Sequence, residues 1–333
     1  MRERLNKLQN MPIGITGTCL AFITLSNSWL LNGFTFVKPV AIFTAVCMLI
    51  LTAMRAILFP GKMWAELKHP VTGTFYPTIG MATWLVANYF YPYAPRLCSV
   101  LWLAAAAWHY FIVIVYTVCR LKERKIENIM PTCFIVYTGM ITGCIASKGM
   151  AGPLIPAIAQ FMLYFGFWFY TILLPLDLWI VFKSHNLNES NLPTVGIICS
   201  PAPLGVVGML TIQENPNLIM LGWLTVTGLL LLPVVYFYIY KLFQKGFKPM
   251  YAGFTFPLAI ATLAAYKLGD FLPTLGYETL GKVFSLLGDV EIFIASYVVF
   301  YVLFHFLRMF VRAVLPQRSV SLGAEHVRPA PEG

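Results

Sequence analysis

The chain has 333 residues, of which 59% are hydrophobic and 11% are charged, with a mean hydropathy of +0.75 and a formal net charge of +10. Soluble domains carry about 25% charged residues, so a soluble core cannot absorb this much apolar surface and the bilayer must be the solvent. The positive charge is typical of loops on one side of a membrane and does not indicate a nucleic-acid partner.

Apolar runs of about 20 residues recur along the chain without alternating between apolar and polar residues, which predicts helices rather than the strands of a membrane barrel. The basic, then apolar N-terminus lacks a small-residue cleavage site, so we expect it to be retained as the first helix. Residues 1–315 should therefore form one all-α transmembrane domain, and residues 316–333 a short, disordered cytoplasmic tail. Ten spans are predicted, near 11–31, 38–58, 72–91, 97–119, 131–148, 153–182, 193–212, 217–241, 249–267 and 289–313.

The distribution of Lys and Arg orients these ten spans. An even number of spans places both termini on one side, and 18 of the 23 basic residues then fall on that side. Because basic loops remain in the cytoplasm, we expect a multi-pass protein of the cell membrane with both termini cytoplasmic.

A proline stands at the start of every odd-numbered span, at intervals of 56 to 62 residues, the length of one helical hairpin. Proline suits the first turn of a helix, because a backbone N–H at that position has no partner within the helix and its absence loses no hydrogen bond. These five helices would all begin at the cytoplasmic face and run parallel, which indicates five hairpin repeats with pseudo-five-fold symmetry. The prolines are Pro12, Pro70, Pro131, Pro193 and Pro249.

Composition separates the two sets of spans. Gly, Pro, Ser and Thr make up 38 of 100 residues sampled in the odd-numbered spans and 14 of 100 in the even-numbered ones. Small and hydroxylated residues favour close helix packing or a wet surface, so we expect an inner ring of odd spans around a pore and an outer ring of even spans. The alternative is tight packing around a solid core. Prolines deeper in the odd spans free carbonyls that only protein or cavity water can meet, which favours a lumen: Pro77, Pro201, Pro203 and Pro257.

Several short motifs, taken in their order, resemble the family of bacterial tellurite-resistance and C4-dicarboxylate transporters that includes the plant slow anion channels. The motifs lie at residues 12–17, 69–71, 201–203 and 252–258, and the last resembles the ninth helix of that family. The resemblance implies a homotrimer whose protomers each hold a pore inside five inner helices. It also implies a phenylalanine that plugs the pore, which is Phe256 here, with Phe254 as its substitute; ordinary core packing is the alternative for Phe256.

No Lys or Arg lies in the middle of an odd span, which suits weak anion sites and rapid passage. Selectivity would come from a positive rim, peptide dipoles and threonine hydroxyls such as that of Thr16, although each hydroxyl can equally bond its own helix backbone. The predicted pore-lining residues are Gly14, Gly17, Thr18, Gly80, Thr83, Thr138, Gly139, Ala202, Gly205 and Ala259.

His109 and Asp177 are ionisable residues inside even-numbered spans. His109 favours a neutral ring bonded to a neighbour, and Asp177, the one acid well inside a span, favours a structural role over a proton site. The sequon at residues 188–190 falls on the cytoplasmic side and is expected to be unused. No cofactor, metal site or enzyme motif is predicted from the spacing of the histidines, cysteines and acids.

These observations favour an anion channel that passes small inorganic or organic anions down their gradient and is gated by Phe256. The alternative is a proton-coupled secondary transporter for dicarboxylate, sulfite or tellurite-like oxyanions. A coupled transporter needs a titratable residue in the pore, and the inner spans offer none. A sensor or scaffold without flux is a third possibility.

Overall fold

The computed structural model describes residues 8–125, 128–183 and 191–314, and every regular element within those ranges is helical. The α-helices are α1 Gly14–Leu31, α2 Val37–Leu58, α3 Pro60–Lys68, α4 Pro77–Phe90, α5 Pro95–Glu123, α6 Cys133–Tyr137, α7 Ile141–Ala146, α8 Ile155–Phe182, α9 Pro201–Ile212, α10 Leu218–Phe243, α11 Ala252–Phe271 and α12 Glu278–Val314. The predicted tail at residues 316–333 and the sequon at 188–190 lie outside the described residues.

Seven helical segments of the described chain are long and apolar enough to cross a membrane: α1, α2, α5, α8, residues 192–212, α10 and α12. This confirms an all-α membrane protein. Of the other three predicted spans, the third is the shorter helix α4 and the fifth is interrupted between α6 and α7. The ninth corresponds to the 20-residue helix α11, which is long enough but is not among the seven apolar segments, so the ten crossings remain a prediction.

The odd-numbered predicted spans begin irregularly. Tight 3-10 turns at Thr72–Phe75, Leu192–Cys199 and Pro249–Tyr251 precede α4, α9 and α11. Proline is favourable at the first helical position because it has no N–H to leave unpaired, so Pro77 and Pro201 begin α4 and α9. These two prolines therefore start helices instead of kinking one, whereas Pro257 does lie inside α11.

The helices of the odd-numbered spans pack on one another in a closed sequence: α1 on α4, α4 on α7, α7 on α9, α9 on α11, and α11 on α1. The long helices of the even-numbered spans each pack on a neighbour in this set, α2 on α1, α5 on α4, α8 on α7, α10 on α9 and α12 on α11. In the most apolar stretches of α1 and of residues 192–212, 78% and 83% of residues are buried, against 33% in α2, α5, α8 and α10. The second set thus carries the exposed apolar surface, as helices facing lipid do.

One close approach fixes the start of α11. A Cβ atom on Gly196 would lie 2.4 Å from Cδ1 of Phe254 and 2.8 Å from the carbonyl oxygen of Gly253, and one on Gly253 would lie 2.9 Å from the carbonyl oxygen of Pro193. Two glycines therefore let the turn before α9 lie directly against the first turn of α11.

Candidate functional site

A small cavity, which we call the central cavity, lies where α1, α4, the α6–α7 segment, the α9 segment and α11 meet. Its volume is about 20 Å³, room for about one water molecule. Each of the five odd-numbered predicted spans contributes to its wall. The wall residues are Gly17, Leu20, Phe75, Thr78, Met81, Ile135, Thr138, Gly139, Ile197, Ser200, Leu204, Ala252 and Phe256.

The two phenylalanines of α11 have different surroundings. Phe256 is half-buried and lines the central cavity. Phe254 is fully buried and packs edge-on against the rings of Phe243 and Tyr251, with ring centroids 6.2 and 6.1 Å away. Residues two apart on an α-helix point in nearly opposite directions, so only one of the two rings can face the cavity.

The wall of the central cavity carries no charged side chain among the described residues, and its hydroxyls are engaged with protein. Thr138 donates to the carbonyl oxygen of Phe134 at 2.7 Å. The Oγ1 atoms of Thr78 and Thr16 lie 2.6 Å apart, and each is within hydrogen-bonding distance of a carbonyl of its own segment. A narrow passage with such a wall is poorly wetted and opposes the entry of a bare ion.

Four of the residues predicted from the sequence meet at this cavity: Gly17, Thr138, Gly139 and Phe256. The remaining predicted pore-lining residues lie outside its wall, and several face the outer helices instead. A Cβ on Gly80 would lie 3.1 Å from the carbonyl oxygen of Ala105 in α5, and one on Gly205 would lie 2.8 Å from Leu224 in α10. Ala202 likewise faces Gly228 of α10. Thr18 and Thr83 bond carbonyls of their own helices, and Ala259 is fully buried away from the cavity.

The remaining wall residues are mostly bulky, and a search for small residues misses them. Leu20, Met81 and Leu204 are examples. The signal that could have found them is helical spacing, since Gly17 and Leu20 stand three residues apart, as do Thr78 and Met81.

A second and larger cavity, which we call the mouth cavity, opens at the end of the molecule where α1 begins. Its volume is about 290 Å³. It is lined by Gln9, Asn10, Met11, Pro12, Ile13, Gly14, Arg55, Lys62, Glu66, Thr72, Phe75, Pro249 and Met250. Gly14, a predicted pore-lining residue, is therefore in this wall. Phe75 lines both cavities, so the mouth cavity and the central cavity adjoin this residue.

A buried ion pair supports the turn that carries Phe75. Nη2 of Arg55 lies 2.6 Å from Oε1 of Glu66, and Nη1 donates to the Tyr76 hydroxyl at 3.3 Å. That hydroxyl donates to Oε2 of Glu66 at 2.7 Å. Arg55 also donates to the carbonyl oxygen of Gln9 and is only 4% exposed. The network joins α2 and α3 to the residue directly after Phe75, a role that the sequence does not predict for Arg55.

His109 and Asp177 do not line the central cavity, although a Cβ on the wall residue Gly139 would lie 3.3 Å from Cε1 of His109. Nε2 of His109 is 2.9 Å from the carbonyl oxygen of Val136, and its ring stacks on Trp84. Asp177 is fully buried; Sγ of Cys133 lies 3.8 Å from Oδ2, while Oδ1 has no partner among the described residues.

Asp177 is not the one acid inside a span, because Glu291 of α12 is 1% exposed and accepts a hydrogen bond from the Tyr236 hydroxyl. The sequence prediction overlooked Glu291 because it stands only two residues inside the start of the tenth run. The second oxygen of Glu291, Oε1, has no partner among the described residues.

Comparison with known proteins agrees with the resemblance carried by the motifs. The family model described as voltage-dependent anion channel, SLAC1, matches residues 10–310. An uncharacterized transporter of Methanocaldococcus jannaschii is 24% identical over 249 residues, which cover 67% of this chain and 72% of that protein. A second uncharacterized transporter of that organism is 28% identical over 173 residues, 49% of this chain and 50% of that protein. Since the family match spans nearly the whole chain, the protein belongs to the voltage-dependent anion channel family, whose members move anions across membranes.

Proposed function

We propose that the protein is a passive anion channel with ten membrane crossings, in which the anion path runs through the central cavity and Phe256 closes it. The observation that carries the proposal is the composition of the cavity wall. All five odd-numbered spans contribute to it, and a half-buried aromatic ring of α11 stands among their side chains.

The neutral wall favours passage over tight binding. A channel needs sites that are weak enough for the ion to leave, and a fixed charge in a narrow apolar passage would hold an anion strongly. The wall residues offer two hydroxyl-bearing threonines and Ser200 but no cation. Small monovalent anions fit this path better than large ones, because the central cavity has room for about one water molecule in the closed form.

Proton-coupled transport is the second candidate function. Asp177 and Glu291 are buried carboxyl groups that each have one oxygen without a partner among the described residues, and intramembrane acids are common proton sites in transporters. Neither residue belongs to the wall of the central cavity, which favours the channel.

The proposal includes an orientation in the membrane and a homotrimeric assembly. The mouth cavity lies at the end that the basic loops assign to the cytoplasm, with both termini on that side of the cell membrane. The exposed apolar faces of the even-numbered helices would meet lipid and the neighbouring copies of a homotrimer.

Current measurements on purified protein in planar bilayers test the proposal. We expect the reversal potential to follow a chloride or nitrate gradient and to ignore an imposed proton gradient. Phe256→Ala should raise the conductance well above that of wild type, and Phe293→Ala should not, because Phe293 is 66% exposed on the outer surface. Accumulation of an anion against its gradient, driven by protons, would assign the protein to the transporter class.

A further inference from the structure

We infer that the mouth cavity is a recruitment site for small inorganic anions, and that Lys62 supplies its uncompensated positive charge. The inference rests on the proposed anion path, because it gives the neutral central cavity a place from which anions are supplied. The described part of the chain gives the wall of the mouth cavity two cations and one carboxylate, and the cavity has a volume of about 290 Å³.

The charged groups of the mouth cavity do not all contribute to its field. Both oxygens of Glu66 are occupied, Oε1 by Arg55 and Oε2 by the Tyr76 hydroxyl. Arg55 and Glu66 therefore cancel each other within 2.6 Å and present little field to the cavity. Nζ of Lys62 donates instead to the neutral side-chain oxygen of Asn10 at 3.0 Å. Among the described residues, the wall thus carries one net positive charge, and it is located at Lys62.

The mouth cavity is large enough for a hydrated anion. One water molecule needs about 10–15 Å³ of such volume, so a cavity of about 290 Å³ accepts an anion together with several waters. An anion can therefore approach Lys62 without losing its hydration shell, which keeps binding weak. Field lines from a charge in a cleft with apolar walls are focused along the cleft, which raises the local anion concentration.

The mouth cavity lies next to the central cavity. Phe75 lies in the walls of both cavities, so the mouth cavity adjoins the narrow part of the proposed path at this residue. The N-terminus of the 18-residue helix α1 is also in the wall, at Gly14, and no side chain caps it. Its partial positive charge adds to the field of Lys62. An anion bound at Lys62 therefore lies in the mouth cavity and not in the central cavity.

The binding test does not depend on conduction. Chloride-35 NMR line widths would be measured on detergent-solubilised protein in dilute sodium chloride, where exchange of chloride on and off the protein broadens the signal. Lys62→Gln should lower the excess broadening at least about twofold, because the field of the cleft is lost. Lys62→Arg keeps the charge and should retain the broadening. Lys68→Gln is the matched control, since Lys68 is exposed on the same helix, lies over the Trp64 ring and does not line the cavity.

A second variant separates Lys62 from the buried pair. Arg55→Gln combined with Glu66→Gln removes one positive and one negative charge and leaves the net charge of the wall unchanged. We expect this double variant to retain most of the chloride broadening. If the broadening survives Lys62→Gln and disappears in the double variant, Lys62 is not the recruiting charge and the inference is overturned.

The flux test uses the open background of Phe256→Ala. Adding Lys62→Gln should lower the anion current about two- to threefold near 10 mM salt, where the screening length is about 30 Å, and have little effect near 1 M, where it is about 3 Å. An equal loss at both salt concentrations would overturn the inference, since it would indicate a structural effect. If Phe256→Ala carries no current while Lys62→Gln still lowers the chloride broadening at least about twofold, the proposed channel fails and the binding site stands. If Lys62→Gln and Lys68→Gln broaden chloride as wild type does, the site is refuted whatever the currents show.

Discussion

Phe75 and Phe256 stand on different helical segments and line the same central cavity, and Phe75 alone of the two also lines the mouth cavity. An anion that follows these cavities from the mouth would therefore meet Phe75 first and Phe256 afterwards. Two aromatic rings in sequence leave a path that is both narrow and apolar, which resists water as well as ions.

The two phenylalanines of α11 should respond differently to truncation. Phe256→Ala removes a half-buried ring from the cavity wall, so conductance should rise while expression and oligomer size stay normal. Phe254→Ala should leave conductance low and cost roughly 3–5 kcal/mol of unfolding free energy, because it empties a fully packed site. Bilayer currents and denaturation in mixed micelles measure the two effects. The reverse pattern would show that the other face of α11 points into the path.

Phe75 should act as a second barrier. In the Phe256→Ala background, Phe75→Ala should raise the current further, because it joins the two cavities. Phe75→Ala alone should have a smaller effect, since the ring of Phe256 still stands in the central cavity. Single-channel recordings of the two single variants and the double variant test this order. Equal currents in Phe256→Ala and the double variant would mean that the Phe75 ring offers no resistance.

The contact between Gly196 and Phe254 can be tested by adding one methyl group. Gly196→Ala would place its Cβ 2.4 Å from the ring of Phe254 and 2.8 Å from a backbone oxygen, so we expect a loss of about 1–3 kcal/mol of stability from overpacking. Gly222→Ala in α10 is the control, because nothing lies within 4 Å of its Cβ and alanine favours the helix by about 0.5–1 kcal/mol. Thermal unfolding in detergent should order the variants as Gly222→Ala, wild type, Gly196→Ala. Equal stability of all three would remove the packing argument.

The predicted orientation rests on charge and is open to a labelling experiment. Leu121 and Tyr277 are 69% and 60% exposed and follow an even and an odd number of predicted spans. Single cysteines at these positions should react with an impermeant reagent from opposite sides, with Leu121 cytoplasmic. The native cysteines would first be replaced, and a cysteine at the lipid-facing Phe293 serves as the unreactive control. Labelling of both positions from one side would contradict ten spans.

Much of the fold could be predicted from the sequence because bilayer thickness and hydropathy fix the length of a spanning helix. The contrast in small residues between odd and even spans correctly separates buried segments from exposed ones, as the burial of α1 and α2 illustrates. The breaks in the odd spans were harder to place, since a proline inside an apolar run can kink a helix or begin one. Pro77 and Pro201 begin helices, whereas Pro257 lies inside α11.

The site was less predictable, because small residues serve two purposes in a membrane protein. Gly80 and Gly205 allow close approach of α5 and α10, and the composition of their spans cannot distinguish this from lining a cavity. Bulky wall residues such as Met81 carry no compositional signal at all. The ion pair of Arg55 with Glu66 joins residues 11 apart on different helices, so the spacing of the two residues in the sequence does not predict that they pair.

We expect the Arg55–Glu66 pair to hold the residues around the mouth cavity in position, and to contribute less to the free energy of unfolding of the whole protein. Glu66→Gln leaves the Arg55 guanidinium, which is 4% exposed, without its counter-charge, so it should cost about 2–3 kcal/mol; the cost stays below that of a fully buried pair because the Glu66 side chain is 21% exposed. Arg55→Met combined with Glu66→Gln removes the unpaired charge and should recover most of that loss. Denaturation in mixed micelles measures both.

The same two variants separate stability from gating. The Tyr76 hydroxyl bonds both members of the pair, and Tyr76 directly follows Phe75, so loss of the pair frees the turn that carries the Phe75 ring. In the Phe256→Ala background, the double variant should therefore show a higher and more variable current than the parent even though its stability is restored. Tyr76→Phe, which removes only the hydroxyl, should shift the current in the same direction by a smaller amount. If the currents of all three follow stability instead, the network holds the fold together and does not position Phe75.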